Sequence, residues 1–243
     1  MDRRVEPEFL DELPAADPRA IRSRRDLRCL NAWMGNTQIM ARALRSGFPH
    51  EPPQRLVELG AGDATFLLRV AQRLGPHWRG ASALLVDRKQ IVTPETLRAF
   101  EKLGWRAEFI AADVFEWLQA SAARNCDAVM ANLFLHHFSE SQLSTLLSQV
   151  ARQTRVFVAI EPRRWNWSLW CCRLLCLIRC NEVTRHDALV SIRAGFADNE
   201  LSKLWPALAH GASTPSNGSW SLQEHPANFS SHLFIAGRAP DIL

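Results

Sequence analysis

The chain has 243 residues, 47% of them apolar, and carries 29 basic against 25 acidic side chains for a net charge of +4. That length suits one α/β domain with a short accessory segment and a full core, and the small, dispersed charge argues against a nucleic-acid binder, which gathers its basic residues on one face. The N-terminus has no apolar signal segment, and no stretch reaches the roughly 18 apolar residues of a membrane span. The six cysteines are not spread as a disulfide framework, so a reduced cytoplasmic setting is expected.

Residues 1–50 read as helical and polar, broken early by Pro14 and Pro18. Apolar residues then recur at helical spacing through Leu27, Leu30, Met34, Met40 and Leu44, with a break predicted at Gly35-Asn36. Pro49, Pro52 and Pro53 form a linker. Beyond it, short apolar runs alternate with helical patterns. Strands are predicted at Arg55–Gly60, Ser82–Asp87, Arg106–Ala111, Asp127–Ala131 and Arg155–Ile160. Helices are predicted between them at Thr65–Leu74, Pro94–Leu103, Val114–Ala123 and Ser139–Thr154, the last with Ser139 as N-cap. Continuously apolar strands between helices indicate a parallel sheet covered on both faces. After Pro162 the pattern changes to an apolar helical run at Trp165–Cys180, an amphipathic helix at Glu182–Gly195, a turn-rich loop at Ser213–Ser221 and a last strand at Phe229–Gly237.

The chemistry gathers at the strand ends. Glu58-Leu-Gly-Ala-Gly-Asp-Ala-Thr leaves the first strand and opens a helix, with Gly60 for the tight turn and Gly62 for close backbone approach to a ligand. Alone, such a turn only ends a βα unit. Asp87 ends the second strand, where a carboxylate accepts ribose hydroxyls, and Asp113 ends the third, where one accepts an adenine amine. Either acid alone is as readily a helix cap.

Taken in order from Arg55 to Glu161, these motifs resemble the class I S-adenosylmethionine (SAM) dependent methyltransferases. The resemblance implies SAM as cofactor, with Glu58, Gly60 and Gly62 around its amino-acid part, Asp87 and Arg88 at the ribose, Asp113 and Val114 at the adenine, and Asn132 with Leu133 beside the methionine. Ala64 stands where the family's motif has a third glycine. It also implies a Rossmann-like α/β fold with a seven-stranded, mostly parallel sheet. An N-terminal helical cap would occupy 1–50, the methyltransferase domain 51–243, and a lid or substrate segment about 163–200.

For catalysis, His136 and His137 follow the fourth strand, and either is a candidate general base for a hydroxyl acceptor; the alternative is a cap or a core histidine. Glu161 either orients an acceptor or caps. His186 and Arg193 share a helical face, and His232 is ambiguous. Cys172, Cys176 and Cys180 recur every four residues, which is not a metal-ligand spacing, so no metal is expected and the cysteines read as small buried apolar residues. The tryptophans near them suggest an apolar pocket roof or, alternatively, membrane contact. The resulting expectation is a methyltransferase acting on a small apolar or aromatic acceptor, at a hydroxyl of a phenolic or polyketide-like metabolite. The alternative is a non-catalytic methyltransferase-like scaffold. No Asn/Asp-Pro-Pro motif follows the fourth strand, which argues against methylation of bases.

Overall fold

A computed structural model describes residues 1–120, 126–166, 168, 172, 180–206 and 220–238. Seven strands form one sheet: β1 (Arg55–Leu59), β2 (Ser82–Asp87), β3 (Arg106–Ala111), β4 (Cys126–Asn132), β5 (Thr154–Pro162), β6 (Trp220–Pro226) and β7 (Ser231–Arg238). Their order is β3-β2-β1-β4-β5-β7-β6. β1 to β5 run parallel, β7 joins β5 antiparallel, and β6 joins β7 antiparallel. The sequence turns one way from β1 to β2 and the other way to β4. This switch opens a crevice at the carboxyl ends of β1 and β4, where open α/β sheets bind ligands.

Both faces are covered, as the apolar strands require. α3 (Asn36–Gly47), α4 (Thr65–Leu74) and α5 (Pro94–Lys102) bury one face around Leu44, Leu67, Val70 and Phe100. α6 (Val114–Gln119), α7 (Glu140–Gln153) and α9 (Glu200–Leu204) bury the other around Trp117, Leu146, Phe157 and Leu201. Residues alternate between faces along a strand. Val57 and Leu59 therefore enter the second core and Leu56 the first, so Glu58 falls on the α3–α4 side. α4 shows the local logic: Leu67, Val70, Ala71 and Leu74 recur at helical spacing and are buried, each large one stabilising the fold by about 1.5–3 kcal/mol. α7 begins with the expected Ser139, in a capping box with Gln142.

The N-terminal region is α1 (Phe9–Glu12) followed by α2 (Pro18–Met34), which ends at Gly35, the break expected. It is strapped across the sheet edge by long-range bonds. Arg3 Nη2 donates to Phe138 O at 2.8 Å. Lys89 Nζ donates to Leu10 O and Asp11 O, each at 2.8 Å. Asp187, on α8 (Glu182–Ala194), accepts the N–H groups of Phe9 and Leu10.

Three expectations are corrected. β6 was not anticipated; part of it lay in the predicted 213–221 loop. Its residues are mostly half-exposed or exposed, so no apolar alternation marks it, and pairing with β7 makes it a strand. β5 extends to Pro162, past the expected end at Ile160, because β7 pairs with it to that residue. The predicted helix from Val114 to Ala123 ends at Gln119, and 121–125 lie outside the described residues. Most of the Trp165–Cys180 run, including Cys176, also lies outside them.

Candidate active site

A cavity of about 1850 Å³ lies at the carboxyl edge of the sheet. It is lined by Glu58, Asp87, Asp113, Asn132 and the histidine pair, with α2 forming its opposite wall. Glu58, Asp87, Asp113 and Asn132, singled out at four strand ends, therefore meet one space, whereas Glu161 at the end of β5 does not line it.

The loop after β1 is shaped by backbone as much as by side chains. Gly60 has φ +70° and donates its N–H to Val86 O at 2.9 Å. A Cβ there would stand 2.2 Å from the Phe134 ring. Gly62 has φ +54°, and a Cβ there would meet open space, so its backbone is free to approach a ligand. Its N–H donates to Asp87 Oδ2 at 2.9 Å, while Asp87 Oδ1 accepts Lys89 N–H at 2.8 Å. Asp87 thus ties β2 to the glycine loop. Ala64, at the third glycine position, is itself left-handed at φ +59° and wholly buried. It holds the geometry of a glycine at a strain of about 1–2 kcal/mol.

Glu58 is 2% exposed, and its Oε2 is buried without a hydrogen-bond partner. Burial, together with the nearby carboxylates of Asp63 and Asp87, pushes its carboxyl well above the ordinary range. Asp113 does cap α6, its Oδ1 accepting Phe115 N–H at 2.8 Å, and it also lines the cavity, as does Val114.

At the end of β4, Leu133 is left-handed at φ +52°, a strained backbone of the kind that gathers at functional sites. Asn132 Nδ2 donates to Asn31 Oδ1, and Asn36 Nδ2 donates to Asn132 Oδ1, both at 3.3 Å. Asn36 is wholly buried. The helices on either side of the Gly35 break, α2 through Asn31 and α3 through Asn36, thereby anchor on the strand end.

His136 and His137 occupy a 3-10 turn, Leu135–His137. Glu161 is wholly buried at the end of β5 and accepts the N–H groups of Phe134 at 3.1 Å and Leu135 at 2.8 Å. His136 Nδ1 donates to Glu161 Oε2 at 2.8 Å, and its Nε2 donates to Glu8 Oε1 at 3.3 Å. Burial opposes charge on the ring, but the two carboxylates outweigh it and raise His136 to about 9. His137 is more open: Nδ1 lies 3.2 Å from Asp11 Oδ2 and Nε2 4.0 Å from Glu8 Oε2.

The remaining candidates act elsewhere. His186 stacks on Phe9 with ring centroids 3.7 Å apart, and Arg193 gives its carbonyl to Arg4 N–H; both hold the N-terminal strap. His232 Nε2 donates to Glu224 Oε1 at 3.0 Å, joining β7 to β6. Cys172 and Cys180 are half-buried and line the cavity. Sequence patterns did not reveal Glu8, Asp11 or Asn36, because no local spacing connects them to the strand ends.

Residues 56–156 match the family described as Methyltransferase domain. The chain is similar in structure to the plantazolicin methyltransferase BamL, solved with a triazolic desmethylPZN analog and SAH. The TM-score is 0.62 at 12% identity, covering 94% of this chain and 92% of that one. It is similar to the plantazolicin methyltransferase BpumL in complex with SAH, with TM-score 0.58 at 14% identity over 92% and 91%. It also resembles an O-methyltransferase family protein from Burkholderia thailandensis, with TM-score 0.53 at 15% identity, covering 92% of this chain and 61% of that one. A search of the curated proteins finds no match.

Proposed function

We propose that the chain is a class I SAM-dependent methyltransferase, a reading supported by the match of residues 56–156 to the methyltransferase-domain family, and that it methylates a hydroxyl of a small apolar or aromatic acceptor, of the phenolic or polyketide-like type. The observation that carries this is the single cavity joining Glu58, Asp87, Asp113 and Asn132 to the histidine pair and an apolar wall of Ile21, Leu30 and Trp33. The residues present fit the cofactor. The partnerless Oε2 of Glu58 suits an ammonium group, and the open space over Gly62 suits a ligand lying on backbone.

In this reading Glu58, Gly60 and Gly62 hold the amino-acid part of SAM. Asp87 accepts the ribose hydroxyls with Arg88 beside it, and Asp113 with Val114 holds the adenine. When bound, SAM supplies an electrophilic methyl on its sulfonium for in-line displacement. Asn132, fixed by Asn31 and Asn36, positions the methionine side with Leu133. His136 has both ring nitrogens on carboxylates, so it holds the turn. His137, oriented by Asp11, is the one of the pair able to take the acceptor's proton. The strap from Arg3 to Leu13 keeps water from the cavity and aligns the acceptor, a contribution of proximity.

No helix among the described residues is long and apolar enough to cross a membrane, and the proposed setting is the cytoplasm, with a small-molecule acceptor and no nucleic acid. The domain limits proposed remain 1–50 for the cap and 51–243 for the catalytic part. Calorimetry with SAM, followed by methyl transfer to a phenolic acceptor panel, tests the reading. Binding that weakens at least tenfold in Asp87→Ala, with transfer lost in His137→Ala, is expected. Biological activity that survives Asp87→Ala and Asp113→Ala would favour a scaffold instead.

A further inference from the structure

We propose that Glu8, His136 and His137 form the site of one divalent transition-metal cation, with the acceptor's hydroxyl oxygen completing its coordination. Three features support a built site rather than a chance cluster. The ligand atoms converge: one oxygen or nitrogen from each residue lies within 4.8 Å of the others. Both imidazoles present Nε2 to the same carboxylate, at 3.3 Å from His136 to Glu8 Oε1 and 4.0 Å from His137 to Glu8 Oε2. Donors about 2.1 Å from a metal stand about 3–3.5 Å apart, so His136 and Glu8 already have this spacing, and His137 is the ligand that closes inward.

The outer shell is also in place. A metal-bound histidine almost always directs its other ring nitrogen to a carboxylate or carbonyl, which fixes the ring and makes it more basic. Here both do. His136 Nδ1 bonds Glu161 Oε2 at 2.8 Å, and His137 Nδ1 faces Asp11 Oδ2 at 3.2 Å. Glu8 in turn accepts a hydrogen bond from Ser191 Oγ.

Charge points the same way. Three carboxylates, Glu8, Asp11 and Glu161, surround two imidazoles. Arg3 and Lys89 direct their hydrogen bonds to carbonyl oxygens, Phe138 O and Leu10 O, so neither forms a direct ion pair with these carboxylates, although their charges act on Glu161 and Asp11. Two nitrogens and one oxygen are the donor set of zinc and of iron, manganese or cobalt, and all three ligands line the cavity, which leaves the open positions facing it.

The use of the site rests on the methyl-transfer reading, whereas the binding does not. A hydroxyl oxygen held by the cation loses its proton more readily; the proton passes to water. The new C–O bond then forms as the methyl–sulfur bond of the sulfonium breaks, leaving a thioether. With the cation bound, His137 is its ligand, and the hydroxyl is ionised at the cation instead of by His137.

The test titrates the chelator-stripped full chain with Co²⁺, following visible absorption, with S-adenosylhomocysteine binding measured in parallel. His136 is left in place because it holds the fold. One Co²⁺ per chain is expected, with ligand-field bands and no thiolate charge-transfer band. Affinity should fall at least tenfold in Glu8→Gln and His137→Ala, and about tenfold in Asp11→Asn through the outer shell, with S-adenosylhomocysteine affinity unchanged. The proposal is overturned if the native chain takes up no Co²⁺ at micromolar concentration, or if uptake is the same in both ligand variants. A thiolate band would overturn it too, by moving the ligands to Cys29, Cys172 or Cys180. If Co²⁺ binds as expected and S-adenosylhomocysteine does not, the metal site stands and the methyl-transfer reading falls.

Discussion

Glu58 and His136 line one cavity and are each 2% exposed, but they solve the problem of burial in opposite ways. Glu58 keeps one oxygen without a partner, and its carboxyl is pushed up by burial and by Asp63 and Asp87. His136 has a carboxylate on each ring nitrogen, and these overcome burial to hold it charged. An unmatched buried polar atom costs free energy that a ligand can recover. A matched one contributes order to the turn that carries it. The cofactor end of the cavity thus keeps a buried carboxylate oxygen open to a ligand, whereas in the metal-free chain the His136 ring is matched on both nitrogens by Glu8 and Glu161.

The largest test of this contrast is His136→Leu. It leaves Glu8 and Glu161 buried without their counter-charge, and breaking a buried pair from one side costs about 3–5 kcal/mol. Urea denaturation should show a loss of that size; a loss under about 1 kcal/mol would mean the pair is not holding the turn. Next comes Gly60→Ala. The added methyl meets the Phe134 ring and a left-handed backbone, so a loss of about 1–3 kcal/mol in stability is expected, together with loss of SAM binding by calorimetry.

Glu58→Gln should act in the other direction. Removing the buried acid raises the stability of the unliganded chain by about 1 kcal/mol at neutral pH, while SAM affinity falls about tenfold. The pH dependence follows from the sign of the shift. The folded-state carboxyl lies above its unfolded value, so the folded chain binds more protons in between. Stability therefore falls as pH rises from about 4.3 toward the folded value. Thermal melts across that range should show the slope in the native chain and a flatter profile in Glu58→Gln. The smallest effect belongs to Ala64→Gly. Relief of the left-handed strain, about 1 kcal/mol, opposes loss of a buried methyl worth about 0.8 kcal/mol. Stability should stay within about 0.5 kcal/mol, and a larger gain would show that Ala64 strains the cofactor loop.

The sheet was legible where burial writes a pattern. β1, β2, β4 and β5 lie between other strands with helices on both faces, and their apolar runs are visible without coordinates. β6 was not legible, because an exposed edge strand needs no apolar alternation and is defined by its partner. Asp87, Asp113 and Asn132 could be found because each ends a strand, and a strand end is a local signal. The cap function of Asp113 and its place on the cavity proved compatible, since one oxygen serves the cap.

The sequence by itself determined the alternation of strands and helices from β1 to β5, the glycine loop and the line of polar residues at the carboxyl edge. These depend on spacing between neighbours and on residue type. Only the tertiary structure decided how the histidine pair is used. Glu8 lies 128 residues from His136 and Glu161 lies 25, and no periodicity connects them. Which carboxylate faces which ring nitrogen depends on how the N-terminal strap crosses the sheet edge, and that crossing is set by packing and by long-range hydrogen bonds.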